Sequence, residues 1–403
     1  MKRPLALAPV LAVIIALSSC KGSSSSPSSP NPSPTAVAGI KSFVMGNASW
    51  SCVGTDTSGN VYVAAASSCS PCGTFELVKA DSSGDCVWAK SYTGYSGISV
   101  NGVFAGSYGI IIAGNALPGS AYFTLFKADS SGVKQSFTQY DCGWESAGGF
   151  LAEGDGSVDV AGFTQSDGLT ACNFINYGDA LLTKVGSTGS EVFRKYYTAD
   201  PSNNSNSFNC VIKTSDGGFA AVGKTYNYNY TGSGDSTDIY FVKTDSSGNA
   251  SWARQIAVGS NLYDEGMSVV QNSDNTFMIM AKAGGADISG AMLYFISTDS
   301  SGNNAVSHQF TTDLCYQGYK MIPGNDGGYI TAGRGNSCAG MLLKVNSSGV
   351  KVWEYDNTSG VFTDVSAVSD GYIVTGTGSI DINGSYENRA FIMKINNSGA
   401  RVW

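Results

Sequence analysis

Residues 218–252 read GFAAVGKTYNYNYTGSGDSTDIYFVKTDSSGNASW. The stretch contains two apolar runs, at 219–223 and 239–242. The second run is followed by a turn of sequence DSSG at 245–248, and a tryptophan stands four residues after the turn glycine. Similar turns recur roughly every 50 residues and end at seven glycines: Gly84, Gly132, Gly189, Gly248, Gly302, Gly349 and Gly399. A repeat of this length is typical of a propeller blade built from four strands.

The second strand of each repeat is a continuous apolar run rather than an alternating one, as in GIIIAG (109–114), TFMIMA (276–281) and GYITAG (328–333). A strand that is apolar on both sides is buried on both faces. This is expected when every sheet packs between two neighbours in a ring. The sequence therefore predicts an all-β fold, a seven-bladed β-propeller with four-stranded antiparallel blades.

The two ends of the repeat region complete each other. The last repeat stops at Arg401-Val402-Trp403, which matches residues 86–88 at the start of the fourth strand of the first repeat. The rest of that strand, 89–92, finds its counterpart in 40–43. We therefore expect the N- and C-terminal segments to share the last blade, which leaves no open seam with exposed strand edges.

The first 20 residues predict a signal peptide, because Lys2 and Arg3 precede an apolar run at 5–17 that is too short to span a bilayer. The run ends in LSSC at 17–20, which resembles the lipobox of bacterial lipoproteins. The resemblance implies lipid attachment, including palmitate, at Cys20. Because Lys21 rather than Asp follows, it also implies an anchor in the outer membrane, on its periplasmic or its surface side.

The Ser/Pro-rich stretch 21–36 predicts a disordered tether, and 37–403 is left for the propeller. The net charge of −8 and the pI near 4.7 argue against nucleic acid as a partner. His308 is the single histidine, which argues against serine triads and histidine-based metal sites. We expect no cofactor and no metal, and we assign no catalytic residue. We expect the protein to be a monomer.

In a four-strand meander the first and third connections lie at one end of the sheet, and here they are short glycine turns. The second connections and the crossings between blades are long and irregular, and loops on a rigid scaffold usually carry binding sites. The candidate ligand-binding residues on this long-loop face are aromatic: Trp144, Tyr226, Tyr228, Tyr230, Tyr263, Tyr316 and Tyr386. These rings suit a glycan or protein ligand, but they could instead pack on their own loops.

Two further positions recur in the repeat. Four residues after the turn glycines stand Trp88, Ser136, Phe193, Trp252, Val306, Trp353 and Trp403. They predict packing between blades, with ligand stacking as the alternative. Shortly before each turn stand Lys79, Lys127, Lys184, Lys243, Ser297, Lys344 and Lys394. These lysines could form a basic ring for an anionic partner, or extend to solvent and pair locally with turn carboxylates.

Nine cysteines remain beside Cys20, and an oxidising envelope permits disulfides. Cys142 and Cys172 occupy the same two places in the third repeat as Cys315 and Cys338 in the sixth, which predicts two equivalent disulfides. Cys69 and Cys72 form a CxxC pair, which predicts a loop disulfide because no helix is evident nearby to activate a thiol.

The repeat as a whole, over about residues 40–403, resembles the seven-bladed SBBP-type propeller repeats of bacterial envelope lipoproteins, with phrases such as GNVYVAA at 59–65. It is more distantly similar to quinoprotein repeats, in which Trp also follows the turn glycine by four. The resemblance implies the propeller fold, and together with the predicted lipid anchor and the long-loop face we expect a membrane-anchored binding or adhesion module. Alternatives are a scaffold for outer-membrane assembly and an enzyme that acts on polysaccharide through loop carboxylates, so the sequence leaves enzymatic activity undecided but favours binding.

Overall fold

The structure is a computed structural model that describes residues 35–37, 40–42, 48–67, 74–95, 98–116, 122–140, 144–165, 178–199, 205–226, 237–258, 263–285, 290–311, 316–335, 339–357, 360–382 and 385–403. Within these residues no helix is long and apolar enough to cross a membrane.

The described residues form 29 strands. In chain order they are β1 Thr35–Val37, β2 Ile40–Ser42, β3 Ala48–Thr55, β4 Val61–Ser67, β5 Phe75–Ala80, β6 Cys86–Tyr92, β7 Ile98–Gly106, β8 Gly109–Ala116, β9 Tyr122–Ala128, β10 Lys134–Tyr140, β11 Trp144–Ala152, β12 Val158–Gln165, β13 Ala180–Val185, β14 Glu191–Tyr197, β15 Asn206–Lys213, β16 Phe219–Tyr226, β17 Thr237–Thr244, β18 Ala250–Ile256, β19 Tyr263–Gln271, β20 Phe277–Gly285, β21 Met292–Thr298, β22 Val306–Gln309, β23 Gln317–Pro323, β24 Tyr329–Arg334, β25 Gly340–Val345, β26 Lys351–Asn357, β27 Gly360–Val368, β28 Gly371–Ile382 and β29 Ser385–Asn396.

Hydrogen bonds divide the described strands into six sheets. Four sheets are single meanders of four strands, namely β3–β6, β7–β10, β11–β14 and β23–β26, and we number them meanders 1, 2, 3 and 6. An eight-stranded sheet contains meander 4 (β15–β18) and meander 5 (β19–β22). The sixth sheet, with the strand order β1-β2-β29-β28-β27, is meander 7. The fold is thus an all-β propeller with four-stranded antiparallel blades.

One feature of this arrangement differs from the prediction of seven separate blades. Meanders 4 and 5 share a sheet because Thr237 of β17 pairs in parallel with Tyr263 of β19. The pairing is a single residue pair, and the other strand pairs of this sheet are antiparallel. The chain crosses between the two meanders close to the sheet edge, so hydrogen bonding yields six sheets instead of seven.

Both ends of the described chain lie on meander 7. On β29, Phe391 and Ile392 pair with Ser42 and Lys41 of β2. The backbone of Lys394, further along β29, bonds to Val402 and Trp403 at 2.7 and 2.9 Å. The N- and C-terminal segments therefore share the outer edge of this sheet, as the sequence predicted. Outside them lies β1, whose first two residues belong to the stretch 21–36 that was predicted as a tether.

The core lies between neighbouring meanders. One cluster joins Tyr62 and Leu77 of meander 1 to Ile110 and Phe126 of meander 2. Another joins Val63 of meander 1 to residues of meander 7, which include Ile373 and Ile392. The continuous apolar second strands are buried on both faces for this reason, as predicted.

The repeated turn glycines are packing points between meanders. All seven have positive φ values, from 70° to 89°, which favours glycine. A methyl group on Gly132 of meander 2 would lie 2.9 Å from the ring of Trp88 in meander 1. Four further glycines meet the residue at the same repeat position in the preceding meander: Gly248 with Phe193, Gly302 with Trp252, Gly399 with Trp353 and Gly84 with Trp403. The aromatic repeat position thus packs between blades, as predicted.

Candidate functional site: the loop-face rim of the central cavity

The innermost strand of every meander lines one central cavity of about 980 Å³. These strands are β3, β7, β11, β15, β19, β23 and β27. Each runs toward the first short hairpin turn of its meander, and the end of the sheets with these turns is called the turn face here. The opposite end, where the long connections leave, is the loop face. The cavity has the size of a small-molecule site.

At one level of the cavity, register places a ring of equivalent residues: Cys52, Gly102, Gly149, Cys210, Ser268, Lys320 and Asp364. Nζ of Lys320 lies 3.9 Å from Oδ1 of Asp364. Asp364 also accepts a hydrogen bond from the backbone N–H of Val53 at 3.0 Å. The pKa of Lys320 is raised, mainly by the Asp364 carboxylate.

The two cysteines of this ring are free thiols. The Sγ of Cys52 donates to the carbonyl of Val100 at 3.5 Å, and burial raises its pKa. The Sγ of Cys210 lies 3.8 Å from Oγ of Ser268. A thiol held protonated is a poor nucleophile, so Cys52 is a packing residue rather than a reactive one.

Two rings lie at the loop-face end of the cavity. Trp50 of meander 1 and Tyr319 of meander 6 meet edge to face, with 5.3 Å between ring centroids. Both line the cavity, and the Arg334 side chain is close enough to the Tyr319 hydroxyl to oppose the rise that burial causes in the pKa of Tyr319. Arg334 therefore stands beside the end of the cavity that faces the loops.

The lysines of the turn face are neutralised locally. Each of four lysines forms an ion pair with an acid in the first turn of its own meander: Lys184 with Glu153 at 2.6 Å, Lys243 with Asp216 at 2.7 Å, Lys394 with Asp370 at 2.8 Å, and Lys344 with Asp326. Lys127 donates to two turn carbonyls, and Lys79 lies over the ring of Tyr62. Local pairing with turn carboxylates is therefore observed for four of the six lysines, and Lys127 and Lys79 have other local contacts.

A second set of cations lies at the loop face. Lys224, Lys282 and Arg334 each follow the apolar run of a second strand, on β16, β20 and β24 of three consecutive meanders. We call these three residues the basic arc. The equivalent residues of the other meanders, Ala66, Asn115, Phe163 and Thr377, carry no charge. All three arc residues are half-buried.

Lys224 is fixed by a hydrogen-bonded group on β19. Its Nζ lies 3.0 Å from the Tyr263 hydroxyl and 3.3 Å from Oε1 of Glu265. Tyr263 in turn donates to Glu265, and Asn209 of β15 donates to the same carboxylate at 2.9 Å. Burial opposes charge on Lys224 and Glu265, but their mutual attraction outweighs it, so the pKa of Lys224 is raised and that of Glu265 is lowered.

The other two arc residues are not neutralised in this way. Lys282 makes no hydrogen bond or ion pair with another residue of the described ranges. Its pKa is lowered by burial, against an opposing effect of Glu265, and the positive charges of Lys224 and Arg334 lower it further. Nε of Arg334 is buried without a hydrogen-bond partner. Lys282 is therefore partly desolvated, and within the described part of the chain neither Lys282 nor Arg334 forms an ion pair.

The predicted aromatic residues take different positions. Tyr226 is half-buried, and Nζ of Lys224 lies 5.3 Å from its ring. Tyr263 is buried, with an exposed fraction of 5%, so it is not the exposed ring that the sequence suggested. Tyr316 packs against Phe310. Tyr228 and Tyr230 lie outside the described residues, as do the side chains of Trp144 on β11 and Tyr386 on β29.

The remaining predicted sites lie beyond the structure's description. The predicted disulfide cysteines, Cys69, Cys72, Cys142, Cys172, Cys315 and Cys338, fall outside the described residues, and so does Cys20. Within the described ranges, no group of three or more His, Cys, Asp or Glu residues is placed to hold a metal ion.

Sequence reasoning missed the basic arc, although its signal is visible in the repeat. The sequences GFAAVGK (218–224), TFMIMAK (276–282) and GYITAGR (328–334) end in a cation at the same position. Aligning the repeats on the second strand rather than on the third turn would have shown three successive cations. The lysines near the turns are more conspicuous because they recur in six repeats, whereas the arc occurs in three.

Neither a protein-family model nor a curated protein sequence matches the chain. Solved structures do match it. A protein of unknown function from Dyadobacter fermentans has 13% identity and a TM-score of 0.50, with 87% of this chain and 95% of that chain covered. The WD40 β-propeller domain of Doa1 has 12% identity and a TM-score of 0.51, with 86% and 93% covered.

A polysaccharide lyase of family PL25, an ulvan lyase bound to a saccharide of glucuronate and sulfated rhamnose, has 10% identity and a TM-score of 0.53. The alignment covers 86% of this chain and 92% of the lyase. At these identities the similarities establish the propeller fold, and they assign no activity to this chain.

Proposed function

We propose that the protein is a binding module of the bacterial cell envelope, attached through lipid at Cys20 and in contact with its ligand through the loop face. Neighbours of this fold include a WD40 propeller and polysaccharide lyases, and both kinds are compatible with such a module. The closed ring of seven blades belongs to this proposal. It is supported by the seven inner strands around one cavity and by the packing of Trp403 on Gly84.

One observation carries the choice of face. On the turn face, acids of the same meander neutralise the four lysines named above. Among the described residues of the loop face, Lys282 has no such partner, and Arg334 has a buried Nε without an acceptor. A partly buried cation without a counter-charge reduces the stability of the fold. Such cations are typical of a site that an anionic group completes.

Binding is favoured over catalysis at this rim. The only carboxylate that bonds to an arc residue in the described ranges, Glu265, is buried and ion-paired, so it is not available as a general base. Burial, with Glu265, raises the pKa of Tyr263, so its phenol stays protonated at neutral pH. A polysaccharide-acting enzyme remains the second candidate because two of the matching structures are polysaccharide lyases.

The proposal can be tested with the full-length protein in its native envelope. The protein should fractionate with membranes, whereas Cys20→Ser should release it to the soluble fraction and abolish labelling by a palmitate analogue. Ligand capture from envelope polysaccharide and protein fractions should be lost when Tyr226, Tyr228 and Tyr230 are replaced together by Ser. The turn-face control Lys394→Gln should retain capture. Loss of capture in the control and not in the triple variant would contradict the assignment of the loop face.

A further inference from the structure

The basic arc is continuous across three meanders. Its residues occupy one repeat position on β16, β20 and β24, so they extend across three neighbouring meanders rather than along one. Lys224 and Arg334 are both close enough to Lys282 to lower its pKa. A single small anion would not need three cations spread over three blades, whereas a chain with repeated negative groups would contact them in succession.

The arc is accompanied by rings. Tyr226 lies beside Lys224, and Tyr319 lies near Arg334 and contacts Trp50. Aromatic side chains provide apolar surface next to a polar tip, which suits ligands with both apolar faces and hydroxyl groups. Sugars have this character, and acidic sugars add the carboxylate or sulfate that the cations require.

We propose that the basic arc binds the carboxylate or sulfate groups of an acidic polysaccharide, with Lys282 and Arg334 as the residues that contact the anionic groups. This inference rests on the proposed function and names the ligand class of the loop face. Arg334 offers a planar fork of donors that fits a carboxylate or sulfate in two hydrogen bonds. Lys224 is already paired with Glu265, so it orients the rim and contributes less to the anion.

The burial of the arc makes the interaction stronger than at an open surface. Exposed charges are well screened by water and salt, and partly buried charges much less so. Lys282 and Arg334 already lack part of their hydration. The two cations therefore lose little further hydration when an anion binds to them. Hydrogen bonds that involve ionised groups are the strongest class in proteins.

Three polymers separate the possible chemistries. Polygalacturonate carries carboxylates, dextran sulfate carries sulfates, and unmodified dextran is neutral. Binding of the purified full-length protein to each polymer is measured by calorimetry at low and at high NaCl. We expect polygalacturonate or dextran sulfate to bind at least about tenfold more tightly than dextran, with the advantage reduced at high salt. The tighter of the two acidic polymers identifies the anionic group.

Variants locate the site. Lys282→Gln with Arg334→Gln should weaken binding of the acidic polymer about tenfold or more, since each lost charged hydrogen bond weakens binding about tenfold. The matched control, Lys134→Gln with Lys351→Gln, removes two exposed lysines of outer strands and should change binding less than about twofold. The charge-conserving pair Lys282→Arg with Arg334→Lys should retain most of the binding, which separates loss of charge from misfolding.

The outcomes are distinguishable from those of the proposed function. Equal binding of dextran and the acidic polymers, or equal losses in the arc variant and its control, would overturn the acidic-polysaccharide site. If the acidic polymers do not bind but the triple tyrosine variant still abolishes envelope capture, the loop face remains the binding face and this inference is wrong. If the acidic polymers bind and the control pair alone loses them, both proposals fail.

Discussion

The turn face and the loop face both carry cations at repeated positions, but the two faces differ in whether these cations form ion pairs. On the turn face, Lys243 donates to Asp216 and to the carbonyl of Thr244, and it is nearly buried. On the loop face, Lys282 stands among Lys224, Arg334 and Glu265 without a bond of its own in the described ranges. Repetition of a charged residue therefore does not distinguish a structural role from a binding role. Its local neutralisation does.

The largest expected effect concerns the structural role of the turn face. Gly302 and Gly217 both have positive φ, 70° and 84°. A methyl group on Gly302 would lie 2.6 Å from the Trp252 ring, whereas one on Gly217 would meet nothing within 4 Å. We expect Gly217→Ala to lower the free energy of unfolding by about 1–2 kcal/mol through backbone strain, and Gly302→Ala by about 1–3 kcal/mol more. Urea titration measures both, and equal losses would show that contacts between aromatic rings and turn glycines do not hold the blades together.

A smaller effect compares one lysine from each face. We expect Lys243→Gln to lower the free energy of unfolding by about 1–2 kcal/mol, because charged hydrogen bonds are lost at a nearly buried site. We expect Lys282→Gln to leave it unchanged or to raise it by less than about 0.5 kcal/mol, since no bond is lost and a partly desolvated charge is removed. Binding of an acidic polymer should show the reverse order. Two variants with the same loss of stability would end the distinction between the faces.

The smallest effect is a change of slope with pH at the turn face. Asp159 is buried beside Glu153, and Nζ of Lys184 lies 3.8 Å from its Oδ1. Burial, with the neighbouring Glu153 carboxylate, raises the pKa of Asp159 to about 8. In the unfolded chain the carboxyl ionises near pH 4, as expected for Asp. Between these values the folded state holds one proton more, so the free energy of unfolding falls as the pH rises.

We expect Asp159→Asn to flatten this slope between about pH 4 and about pH 8, measured by urea titration across this range. The control is Asp216→Asn, whose parent carboxyl has a pKa lowered to about 2, chiefly by Lys243. The stability that this ion pair contributes is present above about pH 4 and is lost as the pH falls toward 2. The control should therefore leave the slope above pH 5 unchanged, and a slope unaffected by Asp159→Asn would show that this carboxyl is ionised in the fold.

The sequence was a good guide wherever a property repeated in every copy. The turn glycines, the buried second strands and the shared terminal sheet follow from local chemistry that recurs at a fixed register, and the structure contains all of them. The bridge between Thr237 and Tyr263 depends on how one crossing bends, and no local pattern encodes it. The candidate site was harder to predict, because Tyr263 looks like an exposed loop aromatic until its bond to Glu265 is known.

Hydrogen–deuterium exchange of the full-length protein with and without polygalacturonate or dextran sulfate shows which face of the propeller contacts the polymer. We expect the polymer to slow exchange at the loop-face ends of β16, β20 and β24, around Lys224, Lys282 and Arg334. The hairpin turns of the opposite face should keep their rates. Protection confined to those turns, or spread evenly over the outer strands, would show that the loop face is not the binding face.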